Sequence, residues 1–136
     1  EFNLVTNAGN NQREQLAQIF ADTAAEIGVR VNFQPIAFEV LVDQLTTPAA
    51  DRGFDAILLG LTGGDLDWPF GVNVIPCGTN LHAFNYTEEG ECLATQEITA
   101  ERLYFQGRRE LDRDARRQIG FELQEAWSEM QGFIYL

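Results

Sequence analysis

Ala56-Ile57-Leu58-Leu59 is an unbroken apolar run that empties into Gly60-Leu61-Thr62-Gly63-Gly64-Asp65-Leu66-Asp67-Trp68-Pro69. This junction constrains the fold more than any other part of the chain. The run predicts a strand over 54–61 covered on both faces, as the strands of parallel sheets are. A buried strand that opens into a glycine-rich, acidic, aromatic loop is how open α/β sheets present a ligand site. The loop is therefore expected to form one wall of a cleft for a small polar ligand.

The preceding sequence supplies two strand–helix crossovers. Leu4-Val5 is the core of a first short strand, followed by the polar turn Asn7-Ala8-Gly9-Asn10-Asn11. Asn11 with Glu14 resembles a capping box, which starts a helix there. That helix places Leu16, Ile19, Phe20, Ala24 and Ile27 on one face, and Gly28 stands where a C-cap belongs. Val29, Val31 and Phe33 then alternate with Arg30, Asn32 and Gln34, as in a half-buried strand, and Pro35 is expected to end it. A second helix carries Phe38, Leu41, Val42 and Leu45 before Thr46-Thr47-Pro48 stops it. Two such units predict an α/β fold: a largely parallel sheet, right-handed crossovers and flanking helices, forming one lobe over 1–136. The C-terminal ends of the first and third strands hold the candidate ligand contacts. These are Asn7 and Asn10 on one side, and Thr62, Gly63, Gly64, Asp65, Asp67 and Trp68 on the other.

From Phe70 to Cys92 the sequence is irregular, with Gly71, Pro76, Gly78 and Gly90 as punctuation and Leu81–Phe84 as a short strand or extended segment. Cys77 and Cys92 are too far apart for a C-x-x-C pair, and the single histidine, His82, cannot complete a tetrahedral metal site with them. They are either two unpaired thiols or a disulfide. Their turn-rich flanks favour the disulfide, which would pin the loop and imply an oxidising compartment. Two helices follow. One covers 97–111 with Ile98, Leu103 and Phe105 as core positions. The other starts after Asp112 with Ile119, Leu123, Ala126, Trp127 and Met130 on one face. Glu101-Arg102-Leu103-Tyr104-Phe105-Gln106-Gly107 differs at one position from a tag-removal protease site, but its helical pattern reads as native. Phe133–Leu136 reads as an apolar strand, and its abrupt end is what a segment of a longer chain would show.

Charge and residue usage narrow the function. A net charge of −12 argues against nucleic acid, whose phosphates need a positive footprint. Lysine is absent and all nine cations are arginines, which removes Schiff-base chemistry and the phosphate-loop lysine together. Ala8-Gly9-Asn10 does not supply a dinucleotide fingerprint. Asp65 and Asp67 have no nucleophile or base beside them, so a catalytic role is not expected. They are either a cation-binding pair pointing the same way or turn-forming residues beside Gly63-Gly64. Trp68 and Phe70 either stack on a ligand or pack the loop. His82 reads as structural, and the arginines from 102 to 117 as a solvated helix face. No stretch approaches the roughly 18 apolar residues of a membrane helix. The start of the chain lacks the features of a signal peptide. A non-catalytic binding module is the leading expectation, with no cofactor or metal. The alternative is a doubly wound enzyme or signalling domain of flavin- or receiver-like type, although a receiver would want an acidic pair where Asn7 stands.

The order of these features resembles the C-terminal lobe of family 5 extracytoplasmic solute-binding proteins, the peptide and nickel binders of ABC importers. The matching residues are Thr6-Asn7-Ala8-Gly9-Asn10 with Arg13, Ile27-Gly28-Val29, and Gly53-Phe54-Asp55-Ala56-Ile57-Leu58-Leu59-Gly60. Leu81-His82, Asn85, Asp112, Arg116-Arg117, Glu122-Leu123-Gln124 and Ile134-Tyr135-Leu136 complete the match. The resemblance implies a periplasmic-binding-protein-like (type II) lobe within a longer, two-lobed, monomeric protein of the cell envelope. Such a protein encloses a solute and delivers it to a membrane permease. It also implies that an aspartate after the Gly60-like strand pairs with a peptide's α-ammonium group. That aspartate falls on Asp65 or, with a one-residue gap, opposite Gly64. Leu61 stands where many members carry Trp, and Asp67-Trp68-Pro69 where Asp-Pro is usual. Some peptide-binding relatives carry a disulfide just after this loop, in agreement with Cys77–Cys92.

Overall fold

β1 (Phe2–Asn7) is the strand on which the N-terminal part of the chain is assembled. A computed structural model describes residues 1–61 and 71–135, and the chain divides into two compact units, Glu1–Thr62 and Gly63–Leu136. In the first, β1 pairs in parallel with β2 (Val31–Ile36), Phe2 lying opposite Val31 and Asn7 opposite Ile36. On its other side it pairs in parallel with β3 (Ala56–Ile57), Leu4 lying opposite Ala56. The strand order is β2-β1-β3. The connections through α1 (Asn11–Glu26) and α2 (Phe38–Leu45) therefore run in opposite directions across the sheet. Right-handed crossovers then put the two helices on opposite faces. Leu4, Val5 and Thr6 are buried in succession, whereas a strand covered on one face buries alternate residues. This is the parallel sheet that the sequence predicts.

Several local expectations are corrected. The buried stripe of α1 is Ala17, Ala21 and Ala24, while Leu16, Ile19, Phe20 and Ile27 are exposed. Alanine at i, i+4 and i+7 lets the helix lie close on the sheet, a stripe that counting large apolar residues overlooks. Leu41 and Leu45 of α2 are buried as expected, but Phe38 and Val42 are exposed. Pro35 does not end β2. Phe2 and Ala8 donate to the carbonyls of Arg30 and Ile36, so the even residues of β2 face β1. Pro35, an odd residue, therefore puts its missing N–H on the outer edge, where no ladder bond is lost. β3 is shorter than 54–61, and residues 56–59 are half-buried rather than covered on both faces. It is an edge strand, and β1, its partner, ends at Asn7.

The second unit is built on α3 (Thr95–Arg109) and α4 (Arg113–Met130). Ala100, Leu103 and Tyr104 of α3 pack with Ile119 and Leu123 of α4, Ile75 and Trp127. Positions 100, 103, 104 and 107 form one helical stripe and all four are buried. Ile98 and Phe105 lie off that stripe and are exposed, contrary to expectation. Leu103, Tyr104 and Gly107 of the protease-site-like segment are thus interior parts of the fold. α4 follows its predicted pattern, with Asp112 capping it by accepting from the Ala115 N–H at 2.8 Å. Leu81–Phe84 is not a strand: a single 3-10 turn covers Ala83–Asn85. Phe84, Trp127 and Phe133 form an aromatic cluster with ring centroids 5.4–5.8 Å apart. Residues 133–135 carry no strand, because no described segment pairs with them.

Candidate functional site

In an open parallel sheet the ligand crevice lies outside the carboxyl ends of the strands, where the chain order switches direction. With the order β2-β1-β3, that point is the gap between the ends of β1 and β3. The Thr6 hydroxyl donates to the Leu58 carbonyl at 2.7 Å and ties the two ends together. Asn7 closes β1, and its Oδ1 accepts from Nη1 of Arg13 at 2.5 Å. Asn10, rather than the predicted Asn11, caps α1: its Oδ1 accepts from the Arg13 N–H at 3.1 Å. Glu14 closes the turn by accepting from the Gly9 N–H at 2.7 Å.

Arg13 is the residue that the sequence reading left out of the site. A Cβ at Gly60 would lie 2.5 Å from its Nη2, so the guanidinium rests against bare backbone at the exit of β3. One side chain therefore spans from Asn7 to Gly60 across the switch point. A signal was present: a cation in the first turn of a helix opposes the macrodipole, so its placement calls for another partner. Thr62, Gly63, Gly64, Asp65, Asp67 and Trp68 lie outside the described residues.

The second unit holds a buried polar cluster. Cys77 and Cys92 form a disulfide, Cα atoms 5.3 Å apart, across a sequence separation of 15 residues. His82 and Glu97 are fully buried. His82 donates from Nδ1 to the Val74 carbonyl at 2.7 Å, and its Nε2 faces Glu97 Oε1 at 3.3 Å. Oε1 also accepts from Asn85 Nδ2 at 2.6 Å, while Oε2 accepts from the N–H groups of Leu93 and Ala94 at 2.7 and 2.8 Å. Cys77, His82 and Glu97 bring their donor atoms within 4.8 Å of one another. The sulfur is bonded to Cys92 and the carboxylate is filled by N–H donors, so this cluster holds the loop together instead of offering lone pairs. Closing a loop of 15 residues stabilises by about 3 kcal/mol through the unfolded chain. Urea titrations with and without reductant should differ by about that amount; superimposable curves would contradict it.

No protein-family model matches the chain. Over its whole length it is 39% identical to a Deinococcus radiodurans protein named as a probable ABC transporter-binding protein. Over 59 residues, 43% of the chain, it is 37% identical to the oligopeptide-binding protein AppA of Bacillus subtilis. The chain is homologous to part of an ABC transporter-binding protein. It spans 24% of the first relative's length and 10% of the second's. The solved structure of Bacillus subtilis AppA in complex with a nonapeptide matches 96% of the chain with a TM-score of 0.71 and 24% identity, across 24% of that protein. That likeness shows the fold, a parallel sheet flanked by helices.

Proposed function

We propose that the chain is part of one lobe of a longer, two-lobed solute receptor of an ABC importer. The receptor captures a peptide-like solute between its lobes and delivers it to a membrane permease. It works as a monomer outside the cytoplasmic membrane and performs no catalysis. The observation that supports this reading is the similarity, along the whole of this chain, to part of a protein named as a probable ABC transporter-binding protein. The switch point between β1 and β3 supports it, because Asn7 stands there beside the strand that leads into the acidic loop. The disulfide agrees with an oxidising compartment. Nothing favours the flavin- or receiver-like alternative.

In this reading Asp65 takes the α-ammonium group of the solute, with Asp67, Thr62, Gly63, Gly64, Trp68, Asn7 and Asn10 around it. Native mass spectrometry of the full-length protein from its host should show a retained peptide-like ligand. Asp65→Asn should weaken a peptide with a free amino terminus by about tenfold, the scale of one charge-assisted hydrogen bond, and leave its N-acetylated form nearly unchanged. Equal losses on both peptides would remove Asp65 from that role.

A further inference from the structure

The geometry points to Arg13 as a specificity residue that binds a carboxylate of the captured solute. This inference rests on the solute-receptor reading above. The guanidinium is half-buried and sits where the ends of β1 and β3 meet, the crevice at which a doubly wound sheet receives its ligand. The partner it has there is neutral, the Asn7 side-chain oxygen. Among the described residues the arginine ion pairs are Arg30 with Glu1 and Arg117 with Asp114, and Arg13 belongs to neither. In a chain of net charge −12, a half-buried cation with no acidic partner among the described residues is costly unless an anion arrives to meet it.

The surroundings also fix how that anion would be met. Asn7 holds one edge of the guanidinium through Nη1, so the fork is oriented before a ligand binds. Nη2 lies where a side chain at Gly60 would stand, so the missing side chain is what lets the guanidinium reach the exit of β3. A planar fork with fixed orientation matches a carboxylate through paired N–H donors, which a lysine would not do as well. The carboxylate is either the solute's C-terminus or an acidic side chain near the amino end. Both present the same chemistry.

Calorimetry on the full-length protein separates the two sources with four probes: trialanine, its C-terminal amide, Ala-Asp-Ala amide and Ala-Asn-Ala amide. In one of the two pairs the carboxylate form should bind roughly 10- to 100-fold tighter than its neutral partner, the range for charge-assisted bidentate contacts. The pair that shows the ratio identifies the source. Arg13→Gln should bring that ratio close to one while leaving the neutral peptide's affinity nearly as it was, and Arg13→Lys should retain part of it. Wild-type protein that binds all four peptides with ratios near one would overturn the inference and leave the receptor reading standing. Arg13→Gln weakening charged and neutral peptides alike would also overturn it, because a purely structural clip would act that way. Wild-type protein that binds none of the four would sink the peptide reading, and this inference with it.

Discussion

Glu97→Ala is expected to lower the unfolding free energy by about 3–5 kcal/mol, the range for removing one member of a buried charged network. The carboxylate is fully buried at the start of α3, accepts from three donors, on Leu93, Ala94 and Asn85, and faces Nε2 of His82. Two of these are backbone N–H groups, that of the N-cap Ala94, which the helix itself leaves without a partner, and that of Leu93 just before it. Alanine would strand all three donors away from water at once, each at a desolvation cost of its own. Ala94, at the N-cap, carries no side-chain acceptor, so Glu97 does the capping from inside the first turn. Trp127 reports on the same region, since Phe84 touches both the His82 ring and Trp127, at centroid distances of 4.2 and 5.8 Å. Urea unfolding followed by Trp127 fluorescence should therefore show the loss directly. A change below about 1 kcal/mol would mean that the three donors find other partners. Glu97→Gln should fall between, because an amide presents one oxygen where the carboxylate presents two.

The sheet was legible because its evidence is periodic and local. The alternation before Pro35, the run at 56–59 and the helical patterns between them require a parallel arrangement whichever side chains are buried. The switch point, and with it Asn7, follows from that arrangement. What the sequence concealed depends on contacts between segments. The alanine stripe of α1 matters because the helix lies close on the sheet, and Leu16, Ile19 and Phe20 misdirected the count by their size. Pro35 looked like a terminator because its edge-facing position is visible only once β1 and β2 are paired. Arg13 stood in the sequence only as one residue of the family resemblance, and its place at the switch point shows once Gly60, far away in sequence, lies beside it. Glu97 carries no sequence signal of its burial, because its donors come from two stretches of the loop, at Asn85 and at Leu93-Ala94. Asp65 and Asp67 lie outside the described residues, and their role is the proposal made above.

Gly78→Ala should be nearly as damaging as the loss of Glu97, at roughly 3–5 kcal/mol, combining left-handed backbone strain with overpacking against main chain. Gly78 follows Cys77 and has φ of +74°; a Cβ there would lie 2.4 Å from the Cα of Gly90. Gly90, at φ +73°, precedes the turn to Cys92, so the two glycines bring the backbones beside the disulfide into direct contact. Neither backbone can swing aside as a flexible side chain would, because the sulfur bridge holds both. Gly9 supplies the control. Its φ is +83°, but among the described residues, its chain neighbours apart, no atom lies within 4 Å of a Cβ built on it. Gly9→Ala should therefore cost only the backbone term, about 1–2 kcal/mol. Thermal and urea unfolding of the two variants side by side separate strain from collision. If Gly78→Ala cost no more than Gly9→Ala, the close approach of Gly78 and Gly90 would not be what shapes the loop. If it costs the larger amount and the loss persists under reducing conditions, the glycine contact shapes the loop independently of the sulfur bridge.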